Sequence, residues 1–93
     1  MRIEWRPAAR DDLLGLIRYI AEDNVPAAFA VSERIEAAVE ALTRHPLRGR
    51  PGRVKGTREL VVPRIPYLVI YRPGDPVVIL RILHGARQWP PAP

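Results

Sequence analysis

Arg58, Arg72, Arg81 and Arg87 punctuate the strand-forming runs between Gly56 and Pro90, with His84 at their end, and these side chains are suited to holding an anion or moving a proton. Guanidinium groups recognise phosphate and carboxylate through paired N–H donors, and histidine is the side chain that titrates near neutrality. Each also has a plain structural role open to it. Arg81 interrupts an apolar run and cannot be buried unpaired without a cost of several kcal/mol. It therefore either reaches solvent or pairs with an acid, for which Glu59 is the nearest candidate. His84 can serve as a hydrogen-bonded structural histidine. Arg87 beside Trp89 is a common interface pairing, and Trp89 can instead pack over the sheet edge.

Other chemistries find little support. The chain has no cysteine and a single serine, Ser32, so a nucleophile–histidine pair is not expected. The two histidines are far apart and not framed by carboxylates at ligand spacing, so no metal site is expected, and no cofactor is implied. The loop Leu47–Lys55, LRGRPGRVK, could cradle phosphate on its glycine N–H groups and arginines, or be a solvated crossover. It lacks the spacing of a P-loop.

These residues need elements to position them. Three apolar runs, ending at Val62, spanning Tyr67–Tyr71 and spanning Val77–Leu83, read as strands of two adjacent antiparallel hairpins. Pro63–Pro66 and Pro73–Pro76 separate them. Simple alternation puts Val77, Ile79, Arg81 and Leu83 on one face, and Val78, Leu80, Ile82 and His84 on the other. Upstream, Met1–Trp5 suggests an edge strand. Pro7 opens a helix with Leu13, Leu16, Ile17 and Ile20 on its apolar face, and Asp11 and Asp12 near its positive end. Gly15 weakens that helix by about 1 kcal/mol relative to alanine, which suggests close packing against a neighbour. Asn24 and Pro26 start a second helix with a stripe of Ala28, Val31, Ile35, Ala38, Val39 and Leu42, stopped by Pro46. The short link makes the two helices an antiparallel hairpin. The fold class is α+β: an N-terminal strand and a helical hairpin packed on a small, mainly antiparallel β-sheet, in one domain over residues 1–93.

Charge is segregated along the chain. Residues 1–40 hold eight acids and five arginines, whereas residues 41–93 hold two acids against ten bases. Fourteen of the fifteen bases are arginine. A basic half implies an anionic partner, either nucleic acid, an acidic protein segment or phosphate. No apolar run approaches the roughly 20 residues of a membrane span, and the charged N-terminus lacks a signal-peptide core. A cytoplasmic protein without a membrane partner is expected.

Several pieces, in order and spacing, carry a resemblance that covers nearly the whole chain. They are Trp5-Arg6-Pro7-Ala8-Ala9 with Asp12-Leu13, Ile20-Ala21-Glu22-Asp23-Asn24, His45-Pro46 with Gly49-Arg50, Gly56-Thr57-Arg58-Glu59-Leu60, Tyr67 to Arg72, and Ile79 to Arg87. Together they resemble the ParE/RelE superfamily of toxins from bacterial type II toxin–antitoxin modules. The resemblance implies a hetero-oligomer with a cognate antitoxin, whose acidic C-terminal part would wrap the basic half. For the ParE branch it implies inhibition of DNA gyrase without an established cleavage reaction. For the RelE branch it implies a ribosome-dependent mRNA endonuclease, in which Arg58, Arg81, His84 and Arg87 would be the catalytic candidates.

The lysines that RelE-like enzymes carry are matched here by Glu59 and Val61, and an arginine by Leu68. The C-terminal tyrosine or histidine of many such enzymes is absent from WPPAP. Gly56-x-Arg58 and Arg81-Ile82-Leu83-His84 are closer to ParE. The expectation is therefore a ParE-like binding toxin, with Arg58, Arg81, Arg87 and Trp89 as antitoxin- or target-binding residues. The alternatives are the mRNA endonuclease and a toxin fold without toxicity.

Overall fold

Backbone chemistry starts and stops the elements where the sequence places its signals. The computed structural model describes residues 2–85, so Arg87 and Trp89 lie outside the described residues. Strand β1 (Ile3–Trp5) runs into helix α1 (Pro7–Ala21), which starts with proline in its first turn, where the missing N–H leaves no hydrogen bond unmade. Helix α2 (Val25–Ala41) follows, its first turn capped by the Asn24 side chain, which accepts the Ala27 N–H at 3.0 Å. It ends five residues before Pro46. Then come β2 (Arg50–Pro51), β3 (Arg58–Val61), β4 (Tyr67–Arg72) and β5 (Val77–His84). The sheet order is β1-β5-β4-β3-β2, with β1 parallel to β5 and the other pairs antiparallel. The expected α+β class is the observed one. The two-residue β2, inside the basic loop, has no counterpart in the sequence expectations.

The helical hairpin covers one face of the sheet. Ala9, Ile35, Val39 and Leu42 pack there against Leu60, Val62, Val69, Tyr71, Val77, Ile79 and Ile82. Leu68, Ile70 and Leu83 form a second cluster on the opposite face. This arrangement departs from simple alternation along β5. Tyr71 pairs with Ile79 and Ile70 with Arg81, so Leu80 is an extra residue without a partner in β4. Such a bulge shifts the side-chain phase by one. Beyond it Ile82, not Leu83, joins Val77 and Ile79 under the helices.

The bulge lies where β5 loses its outer neighbour. β1 pairs only with Val77–Ile79, and the Arg6 N–H then donates to the Ile79 carbonyl at 2.9 Å as the chain turns into α1. From α1, Asp12 takes over that edge. Its Oδ2 accepts the Ile82 N–H at 3.0 Å, and its two oxygens receive Arg81 Nε and Nη2 at 2.7 and 3.0 Å. The hydrogen bond that Arg81 donates to Asp12 is the main cause that raises the Arg81 guanidinium above its ordinary pKa. Arg81 thus pairs with Asp12 and not with Glu59. Asp12 lies past the first turn of α1 and is fixed by the sheet rather than by the helix dipole. Gly15, expected to mark close packing, has nothing within 4 Å of where a Cβ would stand.

At the other end of the sheet, buried polar groups fold the basic loop inward. The Tyr71 hydroxyl donates to the Pro46 carbonyl at 2.6 Å and accepts the Gly49 N–H at 3.0 Å. A Cβ at Gly49 would come within 2.8 Å of the Tyr71 ring, so this approach requires glycine. The buried Glu59 carboxylate accepts Arg50 Nη2 and the Arg53 N–H, each at 3.1 Å.

Asp12→Ala would leave the Ile82 N–H and the half-buried Arg81 without their acceptor. We expect a loss of about 2–3 kcal/mol in urea denaturation, partly recovered by adding Arg81→Met. A loss below about 0.5 kcal/mol would instead mark a solvated surface contact. Tyr71→Phe removes both loop contacts; it should lower stability by about 1–2 kcal/mol and speed amide exchange at Gly49.

Candidate functional site

Two of the sheet cations, Arg58 and Arg81, face their own chain. Arg58 on β3 directs Nη1 to the carbonyls of Gly49 and Leu47, at 2.8 and 3.3 Å. Arg81 on β5 spends Nε and Nη2 on Asp12. Arg58 is thus directed to the basic loop and Arg81 to α1, on different elements. Arg72, at the end of β4, is exposed. The loop glycines are likewise occupied: Gly49 N–H points to Tyr71, and Gly52 N–H to the Thr57 carbonyl at 2.8 Å. These N–H groups are aimed at internal acceptors, not outward as a phosphate cradle.

His84 ends β5, exposed, with its ring 5.7 Å from that of Tyr67 in an edge-to-face contact. It borders a cavity of about 330 Å³ with Asp11, Asp12, Tyr19 and Tyr67. Histidine, tyrosine and carboxylate in one cavity could exchange a proton with a bound group. Acids outnumber cations along this lining, which does not favour a phosphate. Among the described residues there is no cluster of side chains that could hold a metal ion, and no helix is long and apolar enough to cross a membrane.

A different surface has the character of a docking site. Between α2 and β3 runs a groove of about 480 Å³ whose floor includes Ala38, Ala41 and Leu60, and whose outer lip is Val61 and Pro63. Its two charged lining residues are Arg34 and Arg48, and neither has an acidic partner among the described residues. The lip is also an open strand edge. β2 pairs only with Arg58 and Glu59, and the Val62 N–H bonds to Tyr67 on the β4 side at 3.0 Å. Backbone direction alternates along a strand, so Val61 turns its N–H and carbonyl outward. Its side chain is 55% exposed. The groove therefore offers apolar contact, ladder hydrogen bonds and positive charge together.

The sequence leads one to expect an antitoxin groove at the apolar helix faces and the sheet edge, but not the residues that line this one. The signal in the chain was a second stripe on α2, Arg34, Ala37, Ala38 and Ala41 at helical spacing, beside the buried stripe of Ile35, Val39 and Leu42. The small side chains there leave the space between α2 and β3 unfilled.

Comparison with known proteins agrees with this architecture. Residues 3–89 match the family described as the ParE toxin of the type II toxin–antitoxin system, parDE. The chain is 46% identical over 89 residues to the protein Y4kP of Sinorhizobium fredii, covering 96% of this chain and 93% of that one. It is 36% identical over 83 residues to toxin RelE1 of Caulobacter vibrioides, covering 86% and 88%. Among solved structures it resembles a chain of the chromosomal ParDE system of P. aeruginosa, with a TM-score of 0.78, 28% identity and coverage of 90% and 95%. It also resembles a chain of the RelBE2 toxin–antitoxin complex of Mycobacterium tuberculosis, with a TM-score of 0.59, 33% identity and 92% of each chain covered. This chain belongs to the ParE toxin family of type II toxin–antitoxin systems, within the ParE/RelE superfamily.

Proposed function

We propose that this toxin arrests growth by binding DNA gyrase in the cytoplasm, without cleaving nucleic acid itself, and that its cognate antitoxin silences it by occupying the α2–β3 groove. One observation carries the first part: Arg58 and Arg81, the two sheet arginines at candidate catalytic positions, are engaged by internal acceptors. Arg58 holds the basic loop and Arg81 holds α1. A phosphate clamp needs donors aimed at the transition state, not at the fold. Glu59, Val61 and Leu68 stand where RelE-like nucleases, by the resemblance, carry cations, and none of the three is a cation here. Of the residues proposed for target contact, Arg87 and Trp89 keep that role, and Arg58 and Arg81 act as supports beneath the binding surface.

The antitoxin assignment rests on the groove's chemistry. An acidic segment would place apolar side chains over Ala38 and Ala41, pair its backbone with Val61, and set carboxylates beside Arg34 and Arg48. Both structural neighbours come from toxin–antitoxin systems, which supports such a partner.

Purified toxin should inhibit gyrase supercoiling and leave mRNA on programmed ribosomes intact. Cleaved mRNA with unaffected gyrase would overturn the target, and would make His84 and Arg87 the first positions to substitute. Val61→Glu together with Arg34→Glu should weaken the antitoxin complex by about a hundredfold in calorimetry, with no change in the toxin's circular dichroism. Unchanged affinity would place the antitoxin elsewhere on the toxin.

A further inference from the structure

The far side of the molecule has a second unfilled surface with a different charge pattern. A cavity of about 400 Å³ opens between β1, α1 and α2, lined by Trp5, Leu13, Leu14, Val39, Arg10 and Glu40, among others. Leu14 is 50% exposed there, and Trp5 and Leu13 are only half-buried. Unlike the α2–β3 groove, this lining carries both signs of charge, Arg10 against Glu36 and Glu40, of which Glu36 accepts a hydrogen bond from the Ser32 hydroxyl at 3.4 Å. Arg10 and Glu40 have no ion-pair partner among the described residues.

β1 borders the same cavity and is an edge strand. Val77 N–H bonds to the Arg2 carbonyl at 2.8 Å and Arg6 N–H to the Ile79 carbonyl at 2.9 Å. The even-numbered residues therefore face β5, and Ile3 and Trp5 turn their N–H and carbonyl groups to the open side. Open strand edges pair with other chains unless something covers them.

We propose that this face pairs with the same face of a second copy, β1 against β1 in antiparallel fashion, to give a two-fold symmetric dimer. The charge pattern selects the occupant. A two-fold interface must be complementary to itself, so each charge needs its opposite on the same patch. Arg10 and Glu40 meet that condition, whereas the all-positive lining of the α2–β3 groove does not. With Glu4 on the axis, Ile3 of one copy lies opposite Trp5 of the other, and their outward N–H and carbonyl groups close the ladder. Leu14 of each copy enters the apolar part of its partner's cavity. Glu4 faces its own copy, an unfavourable contact offset by Arg6, which lies 3.7 Å from Glu4 and is diagonal to the partner's Glu4. The α2–β3 grooves stay free at the outer ends of the joined sheet.

Sedimentation equilibrium of the purified chain tests this directly. A monomer–dimer equilibrium with a dissociation constant in the micromolar range is expected. Leu14→Arg, at a half-exposed position that the fold does not need, should give a monomer. Arg10→Glu alone and Glu40→Arg alone should each weaken the dimer at least about tenfold. A mixture of those two variants should restore it, because each substituted charge then meets its opposite across the axis. A native chain that stays monomeric throughout the micromolar range overturns the proposal. So does a dimer indifferent to Leu14→Arg, or a pair of charge variants that mixing does not rescue.

Discussion

One carboxylate determines how this sheet ends. An arginine within an apolar strand keeps its charge at any accessible pH and must be given an acceptor. Asp12 supplies it, and the same carboxylate takes the Ile82 N–H that β1 is too short to reach. These contacts fix the position of α1 against β5 and coincide with the bulge that brings Ile82 under the helices. The ion pair is therefore inseparable from the hydrophobic core: moving Arg81 by one residue would turn either Ile82 or Leu83 to the wrong face.

Glu59 and Tyr71 solve the related problem at the opposite end. A loop rich in arginine, glycine and proline has no apolar face with which to hold itself down. The buried Glu59 carboxylate and the Tyr71 hydroxyl hold it by charge and hydrogen bonding, with Arg58 bracing it from the strand. Arg58 and Arg81 serve the fold, whereas Arg34 and Arg48 on the groove have no acidic partner among the described residues.

Local signals were legible in the chain wherever the determining residue was near in sequence. Pro7, Asn24 and Pro26 set the helix starts, and the Pro/Gly clusters set the hairpins, because caps and turns act over a few residues. The α+β class and the family resemblance followed from the order of these elements. Pairings between distant residues were not legible. Asp12 and Arg81 are 69 positions apart, and nothing in the spacing distinguishes Asp12 from Glu59 as the acceptor. The bulge at Leu80 was hidden for the same reason, since it depends on where β1 stops. Gly15 misled because a helical glycine does not reveal whether its missing side chain serves a close neighbour or an open cavity. The same division holds for Arg58 and Arg81, which stand out in the sequence while their hydrogen-bond partners do not.

The central claim is that Arg58 and Arg81 are internal supports and not a phosphate clamp. Nitrogen-15 spectra of the arginine side chains, recorded with and without a short RNA oligonucleotide, test it most directly. Slowly exchanging Nε–H of Arg81 and Nη1–H of Arg58, with shifts that RNA leaves unchanged, is the predicted result. Rapid exchange with solvent, and shifts that move with added RNA at both arginines, would contradict it and return the sheet to the role of a nucleic-acid site.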